Sequence, residues 1–186
     1  MDAPAHAPDP DAEAERLRRA RRGDGAAFEA LYHDHARAVH ALAFRLTGNA
    51  AEAEDIVQET FLRMFGFLSG LRENTPLRPW LKRVAANLAI DRLRRQQRPG
   101  TDMALAALAD PASASPADAA DADTLLRRLP PLARTVVWLH EMEGWSHEDL
   151  GRRFGRTASW SKSLMSRSLA RLRQDLDPHG DAPHDA

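Results

Sequence analysis

The chain has 186 residues, of which 43% are hydrophobic and 28% are charged, and its formal net charge is −1. This composition is ordinary for a globular protein and allows one large domain or two small ones. The absence of cysteine excludes disulfides, thiolate metal sites and thiol nucleophiles. The N-terminus is acidic and proline-rich, unlike a signal peptide, and no apolar run approaches about 18 residues, so we expect a cytoplasmic protein without stable membrane insertion.

The N-terminal part of the chain is predicted to contain a tail followed by a first helix. Residues 1–19 begin with the acidic, proline-rich stretch "MDAPAHAPDPDAEAE", and we expect them to be disordered. From about Asp24 the apolar residues recur on one face of a helix. They are Phe28, Leu31, Tyr32, Val39, Leu42 and Leu46. The "TGN" at 47–49 is predicted to end this helix.

The second predicted helix combines acidic and large apolar residues in the stretch "EAEDIVQETFLRMF". Asn49 can cap its start, with Glu52 three residues later as in a capping box. Its predicted buried positions are Val57, Phe61, Met64, Phe65 and Leu68. Asp55 and Glu59 lie one turn apart and face outward. So much acid on one helix indicates either a solvated face or a surface on which a basic partner docks.

The third predicted helix follows a loop at 69–76 and is strongly basic. Pro79 suits its first turn. Its predicted inward positions are Trp80, Leu81, Val84, Leu88 and Leu93. Seven basic residues and one acid lie between Arg78 and Arg98. Trp80 and Asn87 among these bases suit the capture of unpaired nucleotides, which stack on aromatic rings and are held by their phosphates. The alternative is that Trp80 belongs to the core and the arginines only solubilise the helix.

The second half of the chain is predicted to contain a linker and a group of short helices. Residues 99–120 are rich in alanine, proline, serine and aspartate, which is typical of a flexible acidic linker. Beyond it we expect helices at about 121–128, 131–142, 146–154 and 158–174, followed by a loose tail at 177–186. The last two helices are typical of a helix–turn–helix. Ser146 and Asp149 suit a capping box before the first of them, and Gly155 can end it. Thr157 or Ser159 can cap the second.

The last predicted helix has one polar and one apolar side. Its outward residues are Lys162, Ser163, Ser166 and Arg167, and its inward residues are Met165, Leu169, Leu172 and Leu176. A basic side of this kind suits the major groove, where arginine can bind guanine with two hydrogen bonds. The alternative is a plain surface helix. Seven basic residues and no acid lie between Arg152 and Arg173, so two basic blocks separated by an acidic linker indicate two contacts with one polyanion.

Three stretches together resemble a protein family. They are "AEAEDIVQETFLRMF", "PWLKRVAANLAIDRLRR" and, after the linker, "LPPLARTVVWLHEMEGWSHEDLGRRFG". In this order and spacing they look like a small sigma factor of bacterial RNA polymerase, of the extracytoplasmic-function (ECF) type. The resemblance implies an all-α fold with two small helical domains joined by a flexible linker. Residues 20–98 would be sigma region 2, and residues 121–176 would be the region 4 helix–turn–helix.

The resemblance also implies the partners and the site residues. The polymerase-binding residues would be Glu52, Glu54, Asp55, Gln58 and Glu59, docking on the β′ coiled coil. Those that read and melt the −10 promoter element would be Arg78, Trp80, Arg83, Asn87, Arg94 and Arg95. Those that read the −35 element would be Ser159, Lys162, Ser163, Ser166 and Arg167. The β flap of the polymerase and an anti-sigma factor would be further partners, and no catalytic residue, metal or cofactor is implied.

The last helix departs from the family pattern. Where the family commonly shows Thr-Val-Lys-Ser-Arg-Leu, this chain has "WSKSLM", so Trp160 and Leu164 replace a threonine and an arginine. Leu169 also occupies a position where arginine is usual. The −35 preference is therefore expected to differ from the family's. Trp160 and Leu164 are one turn apart, and the alternative is that they extend the packing of the domain or meet a partner.

Two other classes of function fit parts of the sequence. Histidines lie beside acids in "HDH" at 33–35 and "HEMEGWSHE" at 140–148, and this pattern makes a metal hydrolase one alternative function. Their spacings match no common metal site, since Gly144 stands where a second histidine would complete HExxH. The stronger alternative is a helix–turn–helix transcriptional regulator that never joins polymerase. The acidic helix and the second basic block argue against it.

Overall fold

A computed structural model describes residues 9–72, 75–96 and 122–176, and the regular elements in these ranges are helices. They are α1 (Pro10–Arg21), α2 (Gly25–Thr47), α3 (Ala50–Phe67), a 3₁₀ turn (Leu68–Gly70), α4 (Leu77–Gln96), α5 (Ala122–Arg127), α6 (Pro131–Glu141), α7 (His147–Phe154) and α8 (Ala158–Leu176). The all-α prediction is confirmed. Two compact units form, one from residues up to 44 with 49–88, the other from 45–48 with residue 89 onward. The predicted linker and C-terminal tail lie outside the described residues, and the predicted domain boundaries stay predictions.

Helix α1 shows that the predicted disordered tail is wrong over residues 10–19. Asp9 accepts a hydrogen bond from the amide of Asp11, and Pro10 occupies the first helical position, where its missing N–H costs nothing. Acids begin the helix and arginines end it, as the helix dipole favours. Leu17 and Ala20 are buried in the first unit. Residues 1–8 lie outside the described part of the chain.

Local capping groups set the boundaries of α2 and α3 where the sequence predicted them. Asp24 Oδ1 accepts a hydrogen bond from the amide of Ala27 at the start of α2. Gly48 separates the two helices with a φ of +73°, a conformation that glycine adopts without strain. Asn49 then caps α3 by accepting from the amide of Glu52 at 3.1 Å.

Most predicted core positions of α2, α3 and α4 are buried, and the exceptions are Phe28, Tyr32, Phe65, Trp80 and Val84. Leu31, Val39, Leu42 and Leu46 of α2 are buried, as are Val57, Phe61, Met64 and Leu68. Phe65 is 63% exposed and Tyr32 is 37% exposed. Phe65 follows buried Met64 directly, and adjacent residues of a helix point about 100° apart, so both cannot lie on the buried face. On α4, Leu81, Leu88 and Leu93 are buried, while Trp80 and Val84 are only half-buried.

The helix–turn–helix forms as predicted from α7 and α8. Ser146 accepts a hydrogen bond from the amide of Asp149, and Gly155 ends α7 with a φ of +67°. Thr157 Oγ1 accepts from the amide of Trp160 at 3.2 Å, so Thr157 rather than Ser159 caps α8. A Cβ on Gly151 would lie 2.6 Å from the carbonyl carbon of Thr157, so a glycine is needed where α7 approaches the start of α8.

The buried side of α8 differs from the prediction at Leu169 and at Leu176. Leu164, Met165 and Leu172 are buried. Leu169 is half-buried. Leu176 was predicted in the core but is 51% exposed, because it lies in the last turn of the helix. No helix in the described ranges has both the length and the apolar character needed to cross a membrane.

Candidate docking and nucleic-acid surfaces

The first candidate surface is the acidic face of α3, formed by Glu52, Glu54, Asp55, Gln58 and Glu59. Glu54, Asp55 and Gln58 are exposed, and the two remaining glutamates are half-exposed. Glu59 also pairs with Arg63 at 2.9 Å, one turn further on. Of these acids only Glu52 lies in the first turn, where the helix dipole stabilises negative charge. The opposite side of α3 is buried, so the core holds these carboxylates toward solvent.

An exposed apolar pair continues the acidic face toward the end of α3. Leu62 is 66% exposed and Phe65 is 63% exposed, and they lie four and seven residues after Gln58. Side chains at this spacing share one side of a helix. The ring of Phe65 contacts Phe28 edge to face, with centroids 5.4 Å apart. Exposed apolar side chains beside charged ones are typical of a protein interface. Sequence reasoning missed this pair, although counting helical turns from Gln58 would have found it.

The residues predicted to read the −10 element are spread along α4. Arg83, Arg94 and Arg95 are exposed, whereas Arg78, Trp80 and Asn87 are half-buried. Trp80 stacks on Phe67, with ring centroids 6.2 Å apart and planes inclined by 4°. Phe67 is itself 52% exposed, so the two rings form an aromatic surface at the edge of the first unit. Phe67 was not among the predicted residues.

Asn87 and Arg78 carry buried polar atoms without a hydrogen-bond partner. In the part of the chain that the structure describes, nothing pairs with Asn87 Oδ1 or with Arg78 Nε. Buried polar atoms of proteins are rarely left unpaired. The Asn87 oxygen is covered, so a donor outside the chain, such as the exocyclic amine of a base, reaches it only when the half-buried side chain turns outward.

The residues predicted to read the −35 element share one side of α8. Lys162, Ser163, Ser166 and Arg167 line a single shallow concavity, and Ser159 is exposed one turn earlier. Arg167 Nε donates to the carbonyl of Ser163 at 3.2 Å. Two cations flanking two short hydroxyl side chains make a polar surface suited to phosphates and base edges.

The residues that depart from the family pattern lie mainly in the packing of the second unit. Leu164 is only 2% exposed. Trp160 is half-buried and lies 5.4 Å from the ring of Phe154 on α7. Leu169 is half-buried. Leu164 therefore extends the packing of the domain, whereas Trp160 packs on α7 and keeps part of its surface exposed, so a partner contact of Trp160 stays a prediction.

The histidines do not form a metal site among the described residues, where no three candidate ligands converge. His140 and His147 stack with centroids 4.0 Å apart. His140 Nδ1 lies 2.7 Å from the carbonyl oxygen of Trp145, and His147 Nδ1 lies 3.1 Å from Ser161 Oγ on α8. These contacts join α6, α7 and α8 of the second unit.

The histidine pair leads to a prediction about pH. The pKa of His147 is lowered, mainly by partial burial and less by the positive charges of the nearby His140 and Lys162. The negative charge of Glu141 opposes this change. The folded state then binds fewer protons than the unfolded state, so stability should fall as the pH drops below the ordinary histidine pKa of about 6.5. We expect the urea midpoint to decrease between pH 8 and pH 5.5, and to decrease less in His147→Gln. An identical decrease of the urea midpoint in both proteins would show that His147 does not contribute to the pH dependence of stability.

Comparison with known families first defines the class of the protein. Residues 31–99 match Sigma-70 region 2, and residues 120–172 match Sigma-70 region 4. The first match contains the acidic face and the −10 residues, and the second contains the helix–turn–helix. These are two regions of a sigma-70 type protein.

Individual relatives then narrow the class. The chain is 34% identical over 173 residues to the ECF RNA polymerase sigma factor SigE of Mycolicibacterium smegmatis, covering 84% of this chain and 65% of that protein. It is 35% identical over 168 residues to the RNA polymerase sigma factor CarQ of Myxococcus xanthus, covering 86% and 95%. The solved structure of CnrH in complex with the cytosolic domain of CnrY has the same fold, with a TM-score of 0.52 and 24% identity over 91% of this chain and 99% of that one. The chain belongs to the ECF family of RNA polymerase sigma factors, the proteins that direct transcription initiation.

Proposed function

We propose that this sigma factor joins core RNA polymerase through the acidic face of α3 and directs it to promoters as a non-catalytic, cytoplasmic subunit. The observation that carries the proposal is the acidic face itself, exposed and continued by Leu62 and Phe65. Carboxylates attract a basic partner over a distance, and apolar side chains lose water on contact. A surface with both properties suits the basic coiled coil of β′, which the family resemblance implies as its partner.

Promoter contacts are proposed on the two basic helices. On α4, the aromatic surface of Trp80 and Phe67 lies beside arginines, and the free amide oxygen of Asn87 lies further along. Stacking and charge together suit an unpaired −10 strand. On α8, the concavity between Lys162 and Arg167 suits the major groove of the −35 element. The β flap and an anti-sigma factor remain predictions from the family resemblance.

The direct test is reconstitution with core polymerase. The purified chain should bind core enzyme in a pull-down and then give run-off transcripts from a subset of promoters in a genomic library. Core enzyme alone should give no promoter-specific transcript. A chain that binds promoter DNA but neither binds core enzyme nor supports transcription would instead be the helix–turn–helix regulator considered as the alternative.

Promoter melting gives the first prediction about a single residue. Asn87→Ala should slow open-complex formation by about tenfold, because it removes an amide that can hydrogen-bond an unpaired base, an interaction of about 1–1.5 kcal/mol. Recruitment of polymerase to the promoter should be unchanged, since the acidic face is intact. Permanganate reactivity of the −10 bases measures melting, and promoter footprinting measures recruitment. Wild-type reactivity in the variant would show that Asn87 has no part in melting.

Recognition of the −35 element distinguishes two arginines of α8. Arg167 lines the concavity, whereas Arg171 is half-buried one turn further on. Arg167→Ala should cost about 1–3 kcal/mol and relax the preference at one −35 position. Arg171→Ala should leave the preferred sequence unchanged and, if this arginine contacts a phosphate, flatten the salt dependence by about one unit of slope. Binding-site selection on the wild type and both variants measures this. Identical sequence logos for wild type and Arg167→Ala would exclude a reading role.

A further inference from the structure

Helix α1 contacts both ends of the segment that joins the 3₁₀ turn to α4. Arg21 Nε donates to the carbonyl oxygen of Leu68 at 3.0 Å, and its Nη2 donates to the carbonyl oxygen of Leu71. At the other end, the amide of Leu77, the first residue of α4, donates to Glu13 Oε1 at 3.3 Å. One helix therefore holds the backbone where the segment begins and where it ends.

These contacts satisfy groups that helix ends leave without partners. The last carbonyls of a helix and the first amides of the next have no partner within their own helix. The planar guanidinium of Arg21 can donate to two carbonyls at once, which a lysine cannot reproduce. A carboxylate at the start of α4 also meets the positive end of the helix dipole. Arg21 and Glu13 thus match the charges of the two backbone ends that they contact.

Helix α1 is anchored independently of these two residues. Leu17 and Ala20 are buried in the first unit. Arg16 forms an ion pair with Asp34 on α2, and Arg19 pairs with Asp24 at 2.7 Å. Because α1 is fixed by its own packing, it can act as a support for the start of α4.

Glu13 is fixed by a second contact. Its Oε2 lies 2.9 Å from Nε2 of His35, a side chain of α2 with no exposed surface. This distance brings the carboxylate of Glu13 into direct contact with the buried imidazole ring. Burial lowers the pKa of His35, the charge of Glu13 opposes this, and Arg78 of α4 reinforces the lowering. The Glu13 carboxylate is held between the core histidine and the first turn of α4, which also carries Arg78.

We propose that α1 positions the start of α4 for promoter melting, with Glu13 and Arg21 as its positioning residues. The inference rests on the proposed −10 role of α4. Arg78 and Trp80 stand in the first turn of that helix, directly after the amide that Glu13 accepts from. A group displaced by about 1 Å can lose much of its effect on a reaction rate. Removing either contact should therefore slow melting although neither residue reaches the DNA.

The experiment compares each positioning residue with a matched control on the same helix. Glu15 and Arg18 pair with each other on the exposed side of α1 and make none of the contacts described above. Full-length Glu13→Ala is compared with Glu15→Ala, and Arg21→Ala with Arg18→Ala, each bound to core polymerase on a duplex promoter. Open-complex formation should be about three- to tenfold slower in the first member of each pair, because Glu13→Ala removes one capping-type hydrogen bond and Arg21→Ala removes two. Glu13→Gln, which keeps an acceptor oxygen, should recover most of the rate.

A second measurement does not involve polymerase. Amide hydrogen exchange at Leu77 should be about tenfold faster in Glu13→Ala than in Glu15→Ala, because the amide loses its acceptor. Equal exchange at Leu77 in the two variants, or equal melting rates within both pairs, would overturn the inference. The proposed function would still stand in that case, provided that the wild-type protein melts the promoter. A wild-type protein that binds core enzyme and opens no promoter would instead contradict the proposed function.

Discussion

Reversing two charges of the acidic face, in Asp55→Arg/Glu59→Arg, is expected to weaken binding to core RNA polymerase by about a hundredfold or more, because like charges facing each other across an interface cost several kcal/mol. Both side chains lie on the solvent side of α3, and arginine is a good helix former, so the helix should remain intact. Titration of labelled core enzyme measures affinity, and circular dichroism measures helicity. The loss should be largest at low salt, where screening is weakest.

The control for this experiment changes the same amount of charge elsewhere on the first unit. Glu15 of α1 and Glu29 of α2 are exposed. Glu15→Arg/Glu29→Arg should bind core enzyme like the wild type if the position of the charge matters, and should bind weakly if only net charge matters. Unchanged affinity of the Asp55→Arg/Glu59→Arg protein at low salt would eliminate α3 as the docking surface. Leu62→Asp, which alters only the apolar continuation, shows whether the interface extends along the helix.

Leu164→Arg, which restores the residue usual in the family, is expected to destabilise the helix–turn–helix instead of improving DNA binding. Leu164 is 2% exposed in the packing of α8. Placing an unpaired cation at such a site costs about 3–5 kcal/mol, a large part of the stability of a small domain. The variant should unfold at a lower temperature and lose −35 binding, while docking through α3 is retained. Thermal unfolding followed by tryptophan fluorescence reports mainly on the second unit, because three of the four tryptophans, Trp138, Trp145 and Trp160, lie there.

Gln174→Arg is the matched control for Leu164→Arg. Gln174 is exposed on the same helix. An arginine at this position should therefore keep the unfolding temperature within about a degree or two of the wild-type value, as most surface substitutions do. A folded Leu164→Arg protein with a shifted −35 preference would mean that position 164 reads DNA in this chain as it does in the family pattern.

Most helix boundaries could be predicted because they depend on neighbouring residues. The caps at Asn49, Ser146 and Gly155 are local, and each was visible as a short motif. Helix α1 was missed because its support is tertiary. It buries only Leu17 and Ala20, and the ion pair of Arg16 with Asp34 joins residues far apart in the sequence. Its local signals, the Asp9 cap, Pro10 at the first position and the arginines of the last turn, were outweighed by the acidic, proline-rich composition of the stretch.

The candidate surfaces could be predicted in their charged residues but not in their apolar ones. Exposure is the usual state of the charged side chains of α3 and α8. Leu62, Phe65 and Phe67 were assigned to the interior or passed over, because burial is the usual state of large apolar residues. The packing role of Leu164 was left open, since sequence alone does not determine how far α8 is rotated against α7. Three-dimensional packing decides that angle.

The shallow concavity of α8 separates recognition from folding, which matters for engineering. Its four lining residues face solvent, while Ser161, Leu164, Met165 and Ser168 face the interior. Two of the lining residues, Ser163 and Ser166, have short side chains, so longer ones could be accommodated there without disturbing the buried face. A library randomised at 162, 163, 166 and 167 should therefore consist mostly of folded proteins. Selection from it against synthetic promoters offers a route to mutually insulated genetic circuits built on a single scaffold.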